Sequence, residues 1–342
     1  MALRIPLIWK RNNMSPALLR EIVSLPANQA WATIFKSLWD IFAEPINPDV
    51  VDAISTERDK SIEQLDNILS GSAWELWHQF EQTAPLTSQQ LKDYWAKQSD
   101  GKAILILDAL SLRELPWLLE NTKKRGFQLH QASITAAEIP GNTNQFAKAL
   151  GFGQRSNLEH NLGKSTDFPN AWTETTDMPF ADCGALIKAD PNIIFWHHWP
   201  DSQIHDLADS GDGYRKLAKN AASQLSSDDF WHFIERLATG RKLIITADHG
   251  YAHSGIFPDV VQKDQADFLK ERFKSGRSIP KLESSTSHCW VPPLTQTINS
   301  QHGEWELVLG RKKWKSQGGY PTLTHGGLSL LEMTVPYIEL SK

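Results

Sequence analysis

The sequence predicts an α/β protein, with a central, mostly parallel sheet flanked by helices and a helical segment ahead of it. Three observations lead there. Short isoleucine-bearing apolar runs recur at residues 102–108 (KAILILD), 192–197 (NIIFWH) and 242–248 (KLIITAD), the form of strands buried on both faces. Helical stretches lie between them, and strands alternating with helices imply parallel pairing. The first hundred residues show apolar positions three and four apart instead.

Taken in order, residues 15–22 (SPALLREI), 29–42 (QAWATIFKSLWDIF), 61–82 and 88–97 read as one-sided helices. Ser15 before Pro16 is a cap followed by a first-turn proline. Tryptophans at 31, 39, 74, 77 and 95 suit packing between these helices, or stacking platforms if exposed. The texture changes at Gly101, dividing an N-terminal helical segment (1–100) from an α/β domain (101–342). There the strand at 102–108 feeds a helix over 112–124, and a further strand spans 128–135. Helices are expected at 145–150, 213–225 and 228–239. Beyond Ser278 the pattern turns β-rich, with strands at 288–291, 304–309 and 334–340.

Composition bounds the class. With 342 residues, 40% apolar and 22% charged, the chain can bury a core and is neither disordered nor fibrous. Its 35 basic and 40 acidic side chains give a net charge of −5, which argues against a uniformly basic coat for nucleic acid but not against a local groove. Two cysteines, Cys183 and Cys289, cannot build a disulfide framework or a thiolate zinc site, and reduced thiols suit the cytosol. The N-terminus has no signal-peptide core, and no stretch approaches the roughly 20 apolar residues of a membrane span. A cytoplasmic protein with no membrane partner is expected.

Ligands of open α/β sheets bind beyond the carboxyl ends of the strands. The run at 102–107 ends in Asp108, that at 192–196 in His197, His198 and then Asp201 and His205, and that at 242–247 in Asp248-His249-Gly250. Thr324-His325-Gly326-Gly327 precedes the last strand. Carboxylates and imidazoles without thiolates suit zinc or manganese. Each piece has an ordinary alternative. Asp108 can cap the following helix, Asp201 and His205 can form a surface pair, and His325 can be structural. The joint pattern carries the weight, with Asp-His-Gly its most specific part, read as a tight turn that needs a glycine.

The segments ILILDALSLRE, EIPGNTNQFAKAL, DSQIH, ITADHGY and THGGLSLLEMTVPYIEL together resemble the alkaline phosphatase superfamily, and within it the PglZ-domain branch. The resemblance covers residues 103–340. It implies an alkaline-phosphatase-like sheet and a metal-dependent phosphatase or phosphodiesterase, of the kind found in bacterial antiphage systems such as bacteriophage exclusion. One metal would be held by Asp201, His205 and His325, and a second by Asp108, Asp248, His249 and the nucleophile oxygen. Zinc is expected, with manganese as the alternative. The nucleophile falls on Thr143, in Pro140-Gly-Asn-Thr143 at the start of a helix, where metal and amides favour an alkoxide facing phosphate.

Alternatives stay open at several positions. Ser111 rivals Thr143 as nucleophile, or caps the helix beginning at Leu112, and Thr143 itself can be a cap. PglZ members usually read Asp-Ala-Leu-Arg at the first ligand, whereas here the arginine is displaced to Arg113, which reaches phosphate or pairs on the helix surface. His197, His198 and His253 bind substrate or are ordinary polar residues. The basic runs 123–125, 263–277 and 311–315, the last holding Trp314, are solvated faces or a nucleic-acid strand surface. The leading function is a two-metal phosphodiesterase acting on a nucleotide or nucleic acid. Its alternative is a weakly catalytic or non-catalytic subunit of a defence or signalling complex. A phosphomutase would need a large insert between Thr143 and Asp201, and none is evident. Two bound dications would bring the formal charge to about −1, so overall acidity does not argue against an anionic substrate.

Overall fold

The computed structural model describes residues 16–208, 210–281, 290–316 and 319–342. Ser15, Cys289 and the first half of the strand expected at 288–291 lie outside these residues. The N-terminal segment is helical: α1 (Pro16–Ser24), α2 (Ala27–Phe42), α3 (Val51–Ser61), α4 (Glu63–Gly71), α5 (Phe80–Thr83) and α6 (Thr87–Ala96). The single helix expected over 61–82 is broken, because the chain turns at Ile62, at Gly71–Ala73 and through a 3₁₀ stretch over Trp74–Gln79. That stretch carries Trp77 inward, 4.9 Å from the ring of Trp31, and both are fully buried. Packing is therefore what these tryptophans do. Burying each such ring contributes about 1.5–3 kcal/mol.

The main sheet has six strands in the order β2-β9-β5-β1-β4-β3: β1 (Lys102–Leu107), β2 (Gln128–Ala136), β3 (Trp172–Thr176), β4 (Asn192–His197), β5 (Lys242–Thr246) and β9 (Thr334–Ser341). Strands β5, β1, β4 and β3 run parallel to one another, whereas β9 lies antiparallel between β2 and β5. The expected α/β class and mostly parallel sheet are what the structure shows. Strand β3 (WTETT) was not expected, because its polar composition hides it from an apolar-run criterion.

Alternation along β1 explains why both faces of the sheet are covered. Ala103, Leu105 and Leu107 join Ile193, Phe195, Leu243 and Ile245 in one cluster, with helices α7 (Leu115–Lys124), α9 (Phe180–Cys183), α11 (Gly213–Ser226) and α12 (Asp228–Ala238). Ile104 and Ile106 face the opposite cluster with Ile194, Trp196 and Ile244, covered by α6 and α8 (Thr143–Ala149). Helix α10 (Asp201–Leu207) starts four residues after β4. A smaller antiparallel sheet, β6 (Ser278–Pro280), β8 (Gly303–Val308) and β7 (Thr295–Ser300), packs near α13 (Lys263–Phe273), and α14 (Leu330–Met333) leads into β9.

The N-terminal helices share their core with the sheet. Trp31, Ile34, Leu38 and Leu65 lie in one buried cluster with Leu112, Ile139, Leu330 and Met333. Charge keys the same junction. Asp59 of α3 takes the Arg113 guanidinium at 2.7 Å, and Asp66 of α4 takes Arg311 at 2.7 Å, with all four side chains buried.

Candidate metal centre

Parallel strands in register bring their carboxyl ends to one edge. Leu107 pairs with His197 and Ile106 with Thr246, so the residues that follow them meet. The Asp108 N–H donates to the His197 carbonyl, the Asp201 N–H to the Asp108 carbonyl, and the Ala109 N–H to Asp248 Oδ1. Gly250 fits where no other residue can, because an added Cβ would lie 2.1 Å from the Leu331 carbonyl. Close approach of backbone, not a positive φ, is what makes this turn need its glycine. Gly326 does need the left-handed region, at φ +94°.

The loop that carries His325 is held from two sides. Thr324 and Ala252 exchange backbone hydrogen bonds of 2.7 and 3.1 Å. Glu332, fully buried, accepts from the Gly327 N–H and pairs with Arg277, each at 2.8 Å. Much of the H-G-G-L-S-x-x-E run is thus an anchor for the loop that carries His325. The ring of His325 stacks on that of His249 with centroids 4.3 Å apart.

The six expected ligands fall into two trios, Asp201, His205 and His325, and Asp108, Asp248 and His249. Within each trio the candidate ligand atoms lie within 4.8 Å of one another. His205 Nε2 is 3.2 Å from Asp201 Oδ2, and His249 Nε2 is 3.4 Å from Asp248 Oδ2. Burial, together with the neighbouring Asp248 and Asp201 charges, pushes the Asp108 carboxyl well above its usual range. Burial and Asp201 push Asp248 up to about 6, against the hydrogen bond from Ala109. Burial also raises Asp201, but His205, His325 and His249 outweigh it and hold that carboxyl low. Burial, then His249, push His325 down to about 3, which keeps its ring neutral and able to ligate.

These residues fit a pair of divalent cations. Asp201 Oδ1, Asp248 Oδ2, His249 Nε2 and His325 Nδ1 are buried with no hydrogen-bond partner among the described residues. Buried carboxylates and imidazole nitrogens left unpaired are costly, and a cation is the partner that their donor types suit.

The rival hydroxyls separate clearly. Thr143 opens α8, but Asn142 supplies the cap, its side chain accepting from the Gln145 N–H at 3.0 Å. Thr143 Oγ1 is left 3.2 Å from Asp108 Oδ1. Ser111 is fully buried and forms a capping box with Glu114. Arg113 neither reaches a phosphate nor lies on the surface. It is buried, forked onto Asp59 and bonded to the Tyr251 carbonyl at 2.8 Å.

Arg155 was missed from the sequence. It opens the 3₁₀ stretch Arg155–Asn161, just after the glycine-containing turn at 151–154, and its guanidinium pairs with the Asp108 carboxylate that Thr143 contacts. So short and irregular a segment has no periodicity; the available signal was a lone basic residue just after two glycines, between the nucleophile segment and β3. A cavity of about 490 Å³ opens here, lined by Thr143, Arg155, His198 and Asp201 among others. His198 Nε2 is bonded to Thr175 Oγ1 at 3.0 Å, and burial and then Arg155 lower its pKa. His197 is spent on structure, accepting from the Trp199 N–H and bonded to the Met178 carbonyl. His253 lies apart, stacked on Tyr214 at 3.7 Å. Trp314 is buried, donating to the Lys274 carbonyl, so it offers no stacking face in the run 311–315.

The family description "BREX system PglZ alkaline phosphatase-like domain" matches residues 155–340. The chain belongs to the PglZ family. Asp201, His205, Asp248, His249 and His325 lie inside the matched span of this PglZ domain, whereas Asp108, Thr143 and the helices before them lie ahead of it. No curated protein sequence matches the chain. Among solved structures it is similar to murine ectonucleotide pyrophosphatase/phosphodiesterase 5. An inactive variant with AMP is 12% identical with TM-score 0.43, covering 70% of this chain and 88% of that one. The same enzyme without that description is 13% identical with TM-score 0.42, covering 70% and 87%. Among the described residues of this PglZ protein, no helix is long and apolar enough to cross a membrane.

Proposed function

We propose that this PglZ protein is a two-metal-dependent phosphoesterase, acting on phosphodiesters with Thr143 as nucleophile. One observation carries the reading: two carboxylate–imidazole trios meet at one sheet edge, with the Thr143 hydroxyl 3.2 Å from a carboxylate of the second. Asp201, His205 and His325 would hold one cation, and Asp108, Asp248 and His249 the other, most consistent with zinc and with manganese as the alternative. When bound, the cations supply positive charge that offsets the phosphoryl oxygens and favours an ionised hydroxyl.

The chain's own residues do the rest. Thr143 Oγ1, aimed by α8 and by its contact with Asp108, forms the bond to phosphorus as the ester oxygen departs on the opposite side. The Arg155 guanidinium, on the same carboxylate, faces the non-bridging oxygens. His198 at the cavity wall is held by Thr175 beside that phosphate. Water then hydrolyses the phosphoryl-threonine and returns the free hydroxyl.

The family description names the BREX system. On that footing we place the substrate among nucleotide or nucleic-acid phosphodiesters, the protein in the bacterial cytoplasm, and its partners among proteins of a defence complex. Chelator-stripped protein assayed on bis(p-nitrophenyl) phosphate tests the chemistry. Turnover restored by zinc or manganese and lost in Thr143→Ala supports it. Absence of turnover in reloaded parent protein turns the reading toward a non-catalytic subunit.

A further inference from the structure

The cavity of about 490 Å³ has eleven lining residues, and every one of them carries a polar side chain. No aliphatic residue and no Phe, Tyr or Trp ring contributes to that lining. Pockets for organic ligands are usually apolar over most of their surface, and nucleobases are held on flat aromatic or guanidinium faces. The two flat groups on this wall are already engaged, the Arg155 guanidinium with Asp108 and the His198 ring with Thr175. The wall offers instead the amide of Gln154, the hydroxyls of Ser156 and Thr175, and the carboxylates of Glu159 and Asp177.

Carboxylates only accept, so what they touch must donate. A phosphate oxygen at neutral pH has no proton to give, whereas a sugar hydroxyl has one. Position sorts the groups. At the inner end, Arg155 and Thr143 share the Asp108 carboxylate, which places the phosphoryl group there. Asp177 follows β3 directly, and Glu159 lies four residues beyond Arg155, where the chain leaves helical geometry. The framework behind them is pinned: the His160 N–H donates to Glu174 at 3.0 Å, and Thr175 is bonded to His198. A second phosphate along this wall would meet two like charges, which disfavours a polyanionic strand lying there.

Building on the phosphoesterase reading, we propose that this cavity takes the sugar of the substrate. The substrate class is then a small phosphoester of a ribose-type sugar, with free hydroxyls near the scissile phosphate and any base left outside the wall.

The test uses the full-length, metal-loaded chain and two probes, uridine 5′-(p-nitrophenyl phosphate) and its 2′-deoxy counterpart. The ribose form should have the higher kcat/KM by about tenfold, the scale of one charge-assisted hydrogen bond. In Asp177→Asn that preference should fall toward one, while exchanging uracil for adenine should shift parent rates less than threefold. Equal rates on the two probes, or an Asp177→Asn variant that slows both alike, overturn the proposal. Binding of uridine 5′-monophosphate against its 2′-deoxy form to Thr143→Ala, by calorimetry, reads the cavity independently of turnover. A ribose preference there with no hydrolysis of bis(p-nitrophenyl) phosphate by the parent would sink the phosphoesterase reading alone. Equal binding would sink the sugar site alone.

Discussion

Replacing Asp59 by Asn tests how the helical segment is fastened to the sheet. Asp59 is buried and takes both oxygens of its carboxylate to Arg113, at 2.7, 3.0 and 3.1 Å, with Arg311 at 3.6 Å. Asparagine keeps the shape and removes the charge. Arg311 retains Asp66, but Arg113 is left with the Tyr251 carbonyl and the Ser111 hydroxyl, and no carboxylate. At an effective dielectric near 20, two charges about 4 Å apart attract by about 4 kcal/mol. Breaking a buried pair from one side costs about 3–5 kcal/mol, because the remaining charge is stranded. The expected loss is therefore about 3–5 kcal/mol. Urea unfolding followed by both tryptophan fluorescence and far-UV circular dichroism would measure it. Asp40→Asn is the control, since Asp40 and Lys36 form an exposed pair 2.7 Å apart whose loss should cost less than about 1 kcal/mol. An Asp59→Asn cost no larger than the control would refute the argument that this junction is charge-keyed.

Further outcomes follow from the same structure. Burial holds His253 down to about 4, so on acidification the unfolded chain takes up that proton first, near 6.5. Stability from this group is full above pH 6.5 and is lost as pH falls toward 4, by about 3 kcal/mol in all. His253→Phe should therefore gain in urea midpoint relative to the parent as pH drops from 7 to 4.5; a constant difference contradicts the assignment. Ser111→Ala should cost about 0.5–2 kcal/mol through the lost cap yet keep turnover within a few-fold, whereas Thr143→Ala should do the reverse. The opposite result hands the nucleophile to Ser111. Arg155→Ala should lower kcat/KM on bis(p-nitrophenyl) phosphate by about tenfold to a hundredfold, with Arg155→Lys recovering part. Unchanged kinetics would remove Arg155 from the phosphate.

The sheet was legible because β1, β4 and β5 are apolar runs whose alternate residues face two separate clusters. The residues after those runs could be read as a group, since register and parallel direction carry them to one edge. Strand β3 escaped because its sequence is polar, and α3 because charged and hydroxyl residues fill much of its length. Arg155 escaped for a different reason: it reaches Asp108 from the start of a 3₁₀ stretch 47 residues away, where no local pattern speaks for it. Arg113 fitted neither of its expected roles. Phosphate contact and a pair on the helix surface were the two readings of it, and burial against Asp59 excludes the surface pair and turns it away from the metal ligands.

Metal content tests the central claim most directly. The full-length protein, stripped and reloaded with zinc, should hold two ions per chain by elemental analysis after removal of free metal. Asp201→Asn and Asp248→Asn should each hold one, because each removes a carboxylate from one trio only. A parent chain that holds none, or variants that still hold two, would contradict a two-cation centre at this sheet edge.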